Sequence, residues 1–512
     1  MQLSGHTLAL LGLLFAVGFF YSCSLFLGGR PKTVNSFFHQ ENLYFNTVSL
    51  IASNFGLGLV LISSLIFSQV YGGFCFLFPL AMFIGQSFFS RLITRLDPGK
   101  WCNRGTILSG LSDELDRTAK GAVHFQQFAS FFILVTQMMA LCYEVYASSE
   151  WFSITLLPSA SVTGKAMIIS MIIFAVMTYI MTGGYRTTQI TDCLQCVIAL
   201  PFFVFICVLL FSFTSQQDSV PKSIVQLLPI PSGWIGTIGF GTILISSFTT
   251  QIYSVLNHAF ASHQKTNDDQ RKLFLRARIA GIILNWTILF AALYCSYNGG
   301  IPKGVVEQWL VSKTASASLV IALVTAAMVA MVMSTVDTLV MATAQSGFES
   351  FFHGDSRQED GERLPKLRIS MLAVYILAFL IIISLLLVQP KILQLLYAMA
   401  SPCEVLAPII ICLCYLARDG QLGVIVKPVF WKVRFIDIFY ILLGATLVTA
   451  SVAMLKGYAW SGMIGFSVFV ISGGISYLVW LKRDKPIVNI GVPTAKVENT
   501  SQPSASTQSG EQ

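Results

Sequence analysis

The chain has 512 residues, of which 55% are hydrophobic and only 11% are charged, and its mean hydropathy is +0.72. An average soluble protein carries about 25% charged residues, so this chain has too few polar side chains to cover a soluble fold of its size. The net charge of +8 comes from Lys and Arg residues that lie mostly between apolar stretches. It therefore indicates membrane topology, and we expect a protein in a lipid bilayer without a nucleic-acid partner.

Apolar stretches long enough to cross a bilayer recur along almost the whole chain. A membrane helix needs about 20 apolar residues, and this length predicts thirteen spans. They lie near residues 5–27, 46–69, 72–94, 124–147, 163–182, 188–214, 233–256, 276–297, 315–343, 368–388, 392–417, 435–455 and 458–480. The tail at residues 486–512 is rich in Ser, Thr, Gln and Pro, which predicts a disordered cytoplasmic segment.

The basic residues predict how these spans are oriented. When the loops are assigned alternately to two sides, 26 of the 32 Lys and Arg residues fall on one side. Cytoplasmic loops carry the excess of Lys and Arg. We therefore predict an amino terminus outside and a carboxyl terminus in the cytoplasm, in a plasma or inner membrane. A wrong number of spans would mix the two sides after the first error.

A polar cluster interrupts the second predicted span. The sequence ASNFGLG at residues 52–58 combines two glycines with Ser and Asn, and these residues weaken a helix. Irregular backbone is tolerated in a membrane where it lines a cavity, and an interrupted helix exposes carbonyls for cations and amides for anions. The alternative interpretation is a packing face of small residues between two helices.

Two further clusters contain carboxylates. MSTVDT at residues 333–338 places four oxygen-bearing side chains in five positions of the ninth span, and such ligands suit a small hard cation. TGGYR at residues 182–186 is followed by TDCLQ at residues 191–195. The alternatives are a headgroup position for Asp337, and an interfacial ion pair with Arg186 or a helix-start position for Asp192. The predicted span directions place all three clusters in the cytoplasmic half, as one shared ion site requires.

These clusters resemble motifs of the sodium/solute symporter family, which includes sodium-coupled carriers of glucose, proline, pantothenate and sialic acid. GGR at residues 28–30 and SLIASN at residues 49–54 resemble the family's AGR and SLFASN. TGG with TDCLQ resembles its TGG and TDxxQ, and MSTVDT resembles its MSTxDS. The resemblance covers residues 20–480. The sequence departs from the family at Gly56, where many members have Ser, and at residues 257–264, where NHAFASHQ stands for QRxxAAKS.

The resemblance implies an all-α polytopic membrane protein with the leucine-transporter fold, in which two five-helix repeats have inverted topology. The transmembrane symporter domain would cover residues 1–485. Repeat one would lie at about residues 46–214, repeat two at about 233–417, and flanking helices at 5–27, 435–455 and 458–480.

The resemblance also implies a sodium site built from backbone carbonyls and hydroxyls. Its ligands would be the carbonyls of Ala52, Phe55 and Met331 and the hydroxyls of Ser334 and Thr335. A second cation or proton site in some members would map to Asp192, Ser334, Asp337 and Thr338. Two neighbouring carboxylates favour either an additional cation or a shared proton, so proton coupling stays open.

The predicted function is symport of a small organic solute with a cation, most simply sodium, by alternating access of a monomer. The solute pocket is expected beside the break in the second span. Its candidate lining residues are Asn54, Gly56, Gln86, Gln137, Thr249 and Gln251. Glu144 is expected near the outer interface, and free amides at residues 56–58 could bind a carboxylate, so the charge of the solute stays open.

Two other classes of protein are possible. A solute sensor on the same fold usually carries a signalling domain, and the polar tail is too short to be one. A membrane-embedded enzyme such as an acyltransferase could use the pair Asn257 and His258. That pair is expected at a basic cytoplasmic edge and not deep in a span, so we predict no enzymatic activity.

Overall fold

The computed structural model describes most of the chain, including the greater part of the predicted spans. The described residues are 5–38, 42–53, 56–94, 111, 115, 125–155, 162–211, 233–262, 264, 266–297, 318–351, 360–390, 392–426, 428–430, 433–442, 444–445 and 458–482. Within them, eight helical stretches are long and apolar enough to cross a membrane. The protein is therefore an integral membrane protein built almost entirely from helices.

The helices follow the apolar stretches in chain order. They are α1 (Gly5–Leu27), α2 (Val34–Phe38), α3 (Leu43–Ala52), α4 (Ser63–Tyr71), α5 (Leu77–Ile93), α6 (Phe125–Thr155), α7 (Val162–Phe211), α8 (Gly233–Tyr253), α9 (Val255–Ser262), α10 (Asn267–Tyr297), α11 (Ser318–Phe351), α12 (Asp360–Val388), α13 (Ile392–Arg418) and α14 (Tyr458–Leu481). A π-helical segment (Leu57–Ile62) precedes α4, and 3₁₀ segments lie at Gly72–Phe76 and Leu422–Val426. A short antiparallel hairpin pairs β1 (Pro428–Phe430) with β2 (Val433–Arg434).

Helix α11 forms the centre of the bundle. Its apolar window is 83% buried, whereas the corresponding windows of α10 and α12 are each 28% buried. Helices α1, α6 and α7 pack directly on α11, and α8 packs between α5 and α13. Large apolar side chains such as Phe15, Val197 and Leu387 are exposed on the outer faces of the bundle. Exposure of such faces to water costs free energy, whereas contact with lipid chains does not.

Several helices differ from their predicted limits, and two of these differences bear on the site. Helix α6 continues to Thr155, beyond the expected end at residue 147. The predicted fifth and sixth spans are two helical parts of α7 that meet at Gly184 without an intervening loop. Gly184 has φ +62°, and a Cβ atom on it would lie 2.7 Å from the carbonyl oxygen of Phe37. Both the positive φ and the close approach require glycine at this kink.

The number of spans, the limits of the two repeats and the orientation of the termini stay predictions. The predicted twelfth span is described at residues 435–442 and 444–445, where it is helical. The tail at residues 486–512 lies outside the described residues.

Candidate functional site

The second predicted span is interrupted, as its sequence indicated. Helix α3 ends at Ala52, and Gly56 has an extended backbone with φ −56° and ψ 135° before the π-helical segment begins. The carbonyl oxygen of Gly56 accepts hydrogen bonds from the amides of Val60 and Leu61, at 3.1 and 3.3 Å. The amides that precede Val60 are the first of a new helical segment, so they have no acceptor within it.

The carboxylate of Glu144, on α6, supplies acceptors for two of these amides. The Gly58 amide donates to its Oε1 atom at 3.0 Å, and the Leu59 amide donates to its Oε2 atom at 2.6 Å. The hydroxyl of Ser148, one turn further along α6, donates to Oε1 at 3.4 Å. Glu144 is fully buried. Its carboxylate lies at the positive end of the second helical segment, where the helix dipole favours an ionised group and the hydrogen bonds to it.

Glu144 lies deeper within its helix than the predicted span, which ends at residue 147, indicated. Helix α6 continues to Thr155, so Glu144 lies about three turns before its end. The consecutive serines Ser148 and Ser149 interrupt the apolar run, and hydropathy therefore places the end of the span too early. Ser149 donates to the Tyr146 carbonyl at 2.6 Å, which satisfies its hydroxyl within the helix.

The glycines of the interrupted span allow a close approach between helices. A Cβ atom on Gly56 would lie 2.9 Å from both the Glu144 Oε2 atom and the Thr335 Oγ1 atom. A Cβ atom on Gly58 would lie 2.9 Å from the Glu144 carbonyl oxygen. The segment both interrupts the helix and forms a packing face of small residues. The two interpretations of the sequence are therefore compatible.

A buried acidic cluster lies at the other end of the break. We use this name for Ser49, Tyr179, Thr191, Asp192, Ser334 and Asp337, all of which have at most 2% of their surface exposed. The Ser49 hydroxyl, on α3, donates to the Asp192 Oδ2 atom, and the Ser334 hydroxyl, on α11, donates to the Oδ1 atom at 2.8 Å. The carboxylate of Asp192 therefore joins α3, α7 and α11.

The carboxylate of Asp337 is satisfied on one oxygen atom. Its Oδ2 atom accepts hydrogen bonds from the Tyr179 hydroxyl at 2.8 Å and from the Thr191 hydroxyl at 3.2 Å. Its Oδ1 atom has no hydrogen-bond partner among the described residues. Asp337 is fully buried in the middle of α11. The alternative of a headgroup-level position for this carboxylate is therefore wrong.

The described part of the chain places no Lys, Arg or His side chain in an ion pair with Asp192 or Asp337. Arg186 is exposed, whereas Asp192 is fully buried, so the expected alternative of an interfacial ion pair between them is wrong. The helix-start alternative is also wrong, because the second part of α7 begins after Gly184, about two turns before Asp192. Two carboxylates thus lie in the core of the bundle, and no basic side chain among the described residues neutralises them.

Of the residues of the predicted first sodium site, Ser334 belongs to the acidic cluster and Thr335 follows it on α11. Thr335 faces Gly56 across the helix contact, and its hydroxyl donates to the Met331 carbonyl at 3.3 Å. The Thr338 hydroxyl donates to carbonyls of the preceding turn of α11, at 2.8 and 3.1 Å. Ala52 ends α3 just before the break and is buried. Phe55 lies outside the described residues, as does the solute-site candidate Asn54.

The atoms of the acidic cluster and of the predicted first sodium site that could ligate a cation are all oxygen. Among the described residues, no three His, Cys, Asp or Glu side chains form a group that could hold a metal ion. The acidic cluster instead combines two carboxylates with serine, threonine and tyrosine hydroxyls, and the carbonyl of Met331 lies one turn before Ser334. Hard monovalent and divalent cations prefer such oxygen ligands. The unpartnered Oδ1 atom of Asp337 is the oxygen that a cation or a proton would satisfy.

A cavity of about 260 Å³ lies beside the break, lined by the second, third, fourth, seventh, eighth and ninth predicted spans. Its lining includes side-chain amides and Ser and Thr hydroxyls on one part and apolar side chains on the other. The amides are those of Gln86, Gln137, Gln251, Asn257 and Asn285. Three of the predicted solute-site residues, Gln86, Gln137 and Gln251, are therefore brought together. Gly56 is not among the lining residues.

The structure does not bring Thr249 to this cavity. Ser246, Ser247, Thr250 and Gln251 of α8 line it, and Thr249 lies on a different side of that helix. Thr249 instead lines a second cavity, between α8, α13 and α14. A rotation of about 100° separates adjacent positions of a helix, and the sequence did not specify which of them faces the cavity.

The pair Asn257 and His258 is buried in α9 and does not form an exposed cytoplasmic edge. The Asn257 amide donates to the Gln251 side-chain oxygen at 3.1 Å. The His258 Nε2 atom lies 2.7 Å from the Ile252 carbonyl oxygen, and the imidazole stacks on Phe89 with 5.2 Å between ring centroids. These contacts account for His258 as a packed core side chain.

Comparison with solved structures identifies the architecture. A substrate-bound, outward-open Na⁺-coupled sialic acid symporter is similar with a TM-score of 0.64 at 14% identity, over 93% of this chain and 97% of that chain. MhsT in complex with L-phenylalanine covers 86% of this chain and 99% of its own, with a TM-score of 0.48 at 13% identity. Mhp1, a nucleobase-cation-symport-1 family transporter, covers 88% and 95%, with a TM-score of 0.48 at 11% identity.

The likeness to the sialic acid symporter shows the fold. The protein has the leucine-transporter fold, and this prediction from the sequence is confirmed. No protein-family model matches the chain, and no curated protein matches it in sequence.

The sequence did not reveal three contributors to the site. Tyr179 is an ordinary residue in an apolar helix, and Ser49 opens the SLIASN motif without a predicted role of its own. Their hydroxyl contacts with Asp337 and Asp192 give them one. Glu144 did carry a signal. It is the only charged residue between positions 125 and 149, and an ionisable residue inside a span is by default a functional candidate.

Proposed function

We propose that the protein is a secondary active transporter that couples the movement of a cation, most simply sodium, to the movement of a small organic solute. The acidic cluster carries this proposal. Asp192 and Asp337 are fully buried, accept hydrogen bonds only from hydroxyls, and have no basic partner in the described part of the chain. A buried unpaired charge costs several kcal/mol, and a bound cation removes that cost.

The position of the cluster supports a coupling role. Asp192 on α7 accepts hydrogen bonds from Ser49 on α3 and from Ser334 on α11. A cation held by this carboxylate would hold the first half of the interrupted helix against the two neighbouring helices. Its departure would leave the carboxylate unneutralised and weaken that contact. The state of α3 would then depend on the cation, as alternating access requires.

We also propose a first sodium site at the predicted position. Thr335 lies at the contact between the break and α11, and its hydroxyl donates to the Met331 carbonyl. Ala52 ends α3 just before the break, and Ser334 precedes Thr335 in the chain. Asp192, Ser334, Asp337 and Thr338 would form the second site. The driving force is sufficient, because each charge that crosses a potential of about 100 mV contributes about 2.3 kcal/mol.

Proton coupling is a second candidate, and the Oδ1 atom of Asp337 supports it. A protonated carboxyl group neutralises one of two neighbouring buried charges as effectively as a cation does. Two adjacent carboxylates commonly share a proton for this reason. In this alternative, the pair Asp192 and Asp337 titrates during the transport cycle and sodium has no effect.

The test is the melting temperature of the purified protein in sodium chloride and in choline chloride at the same ionic strength. A ligand present at about 100 times its dissociation constant stabilises the folded state by about 2.7 kcal/mol, so sodium raises the melting temperature. We expect Ser334→Ala to lose this rise. Ser346→Ala is the matched control, because Ser346 is buried on the same helix and its hydroxyl donates to the carbonyl of Ala342 at 2.9 Å.

The same comparison at acidic and alkaline pH separates the two candidates. A rise in melting temperature that is specific to sodium supports sodium coupling. A protein that is indifferent to sodium but stabilised by acid supports the proton. A protein indifferent to both would contradict the proposed role of the acidic cluster.

A further inference from the structure

The break in the second predicted span forms an anion-binding site, and the carboxylate of Glu144 already occupies it. Adjacent amides at the start of a helical segment form such a site, because their N–H groups and the helix dipole favour negative charge. The amides of Gly58 and Leu59 both donate to Glu144, one to each carboxylate oxygen. A carboxylate of a solute would find neither of these donors free.

The residues around Glu144 hold its carboxylate in contact with the break. The Ser148 hydroxyl donates to its Oε1 atom, and the side chain is fully buried. Neither Gly56 nor Gly58 has room for a Cβ atom, since one would lie within 3.0 Å of the Glu144 Oε2 atom at either position. The glycines therefore allow the carboxylate to reach the amides.

The cavity next to the break has no charged group for a solute carboxylate or ammonium. Its described lining contains no Asp, Glu, Lys, Arg or His side chain. An ion transferred from water into such a cavity loses its hydration without a charged partner, which is unfavourable. An anion would in addition be repelled by the nearby negative charge of Glu144.

The polar groups of the cavity suit an uncharged solute. Gln86 and Gln137 line it and are 8% and 6% exposed, and neither side chain makes a hydrogen bond to another described residue. Each amide offers both donors and an acceptor. Phe67, Phe78 and Leu289 form an apolar part of the same lining. Such a surface matches a solute with hydroxyl or amide groups on one side and carbon–hydrogen surface on the other.

We infer that Glu144 acts as an internal anion at the helix break, so that the adjacent cavity takes an uncharged, hydrogen-bonding solute of the polyol or carboxamide type. The solute class rests on the proposed transport function. The binding of Glu144 to the two amides does not depend on it. Glu144 is in this account a positioning residue, because it fixes the break and does not touch the solute.

The first test is replacement of the internal anion by an external one. Glu144→Ala exposes the two amides, and we expect sodium formate to restore most of the melting temperature that this variant loses relative to its value in sodium chloride. Both salts contain the same sodium concentration, so the cation sites are equally occupied. The wild-type protein and Glu150→Ala should not respond to formate. Glu150 is the control because it lies on the same helix and pairs with Lys165 at 3.3 Å, away from the break.

A formate effect of equal size in the wild type and in Glu144→Ala, or none in the variant, would overturn the assignment of Glu144. Should Glu144→Ala not survive purification in chloride, it is prepared in formate throughout. Recovery of folded protein only in formate supports the inference. If the variant is recovered in neither salt, the isosteric variant Glu144→Gln decides. Glu144→Gln keeps one acceptor oxygen at the break. At neutral and alkaline pH its melting temperature should lie below that of the wild type, and by the same amount in the two salts.

The second test addresses the solute class on the wild-type protein in sodium. Hexoses are compared with the corresponding uronic acids, and aromatic carboxamides with the corresponding carboxylic acids, by their effect on melting temperature. We expect stabilisation by neutral members only, and its loss in Gln137→Leu. Stabilisation by the acids, or by none of the neutral members, would overturn the solute class. A neutral preference without any sodium response would contradict the proposed cation coupling and leave the solute class intact.

Discussion

The three buried carboxylates near α11 are satisfied in two different ways. Glu144 accepts hydrogen bonds from two backbone amides and from the Ser148 hydroxyl, and the helical backbone fixes the two amides. Among the described residues, Asp192 and Asp337 accept from hydroxyls alone, and one oxygen atom of Asp337 has no partner. A group satisfied by the backbone is suited to a permanent structural role, whereas a group left incomplete is suited to a ligand that comes and goes.

Glu144→Ala has the largest expected effect on stability. It leaves the buried amides of Gly58 and Leu59 without acceptors, and each such loss costs about 1–3 kcal/mol, so we expect a total of about 2–6 kcal/mol. The loss should be equal in sodium chloride and choline chloride, as measured by thermal unfolding. Glu150→Ala, which removes a partly exposed ion pair with Lys165, should cost about 1 kcal/mol or less. A loss at Glu144 that depended on sodium would break the distinction between the two groups of carboxylates.

Asp337→Asn is expected to remove the response to the cation. The variant keeps the shape of the side chain but removes its charge, so the stabilisation of about 2.7 kcal/mol expected at saturating sodium should disappear. Its melting temperature in choline chloride should equal or exceed that of the wild type, because one of two neighbouring buried charges is gone. Asp268→Asn is the control, since Asp268 is an exposed carboxylate paired with Lys272 at 3.0 Å. Retention of the full sodium response in Asp337→Asn would exclude this carboxylate from the cation site.

Gly56→Ala tests how tightly the break is packed. The added methyl group would meet the Glu144 Oε2 atom and the Thr335 Oγ1 atom at 2.9 Å, and overpacking of this kind costs about 1–3 kcal/mol. We expect reduced thermal stability and, once a solute is known, slower uptake into proteoliposomes. Gly281→Ala on α10 is the control, because nothing lies within 4 Å of its added Cβ atom. Equal stability of the two variants would show that the contact is looser than described.

Tyr179→Phe should have a smaller effect that differs between the two salts. It removes the hydroxyl that donates to Asp337 at 2.8 Å, and we expect a loss of about 1–2 kcal/mol in choline chloride and less in sodium chloride. A cation can supply the stabilisation that the hydroxyl no longer gives. Tyr143→Phe is the matched control, because its hydroxyl lies 2.7 Å from the Ser63 hydroxyl beside the break. Tyr143→Phe should lose the same amount of stability in both salts.

The smallest effect on stability is expected for Gln86→Leu and Gln137→Leu. Neither amide bonds to another described residue, so an apolar side chain of similar volume should change the free energy of unfolding by about 1 kcal/mol or less. Stabilisation by a bound solute should nevertheless be lost in both variants. A large loss of stability without solute would mean that these amides support the fold and do not serve a ligand.

Much of this architecture could be predicted from the sequence. Hydropathy located the helices, the glycines at residues 56 and 58 predicted the interruption, and the motifs around Asp192 and Asp337 predicted that their helices meet. These features are local, because apolar length and backbone weakness can be read from neighbouring residues. The structure brings Ser334 to Asp192 as that prediction requires.

The remaining features depend on helix phase and helix limits. Two serines after Tyr146 made α6 look shorter than it is, so Glu144 was expected near the outer interface. Thr249 lies on a different side of α8 from Thr250, and hydropathy does not specify which side faces the cavity. Gly184 turns α7 within a single residue, where the sequence predicted a loop. These errors are small along the chain, but each changes which side chains meet.

Direct binding of ²²Na⁺ to the purified protein tests the central claim, that the acidic cluster holds the coupling cation. Wild type, Asp192→Asn and Glu144→Gln would be compared at neutral pH, with unlabelled sodium as competitor. We predict saturable binding to the wild type, a loss of bound sodium in Asp192→Asn, and retention in Glu144→Gln. Undiminished binding to Asp192→Asn, or no binding to the wild type, would contradict the account.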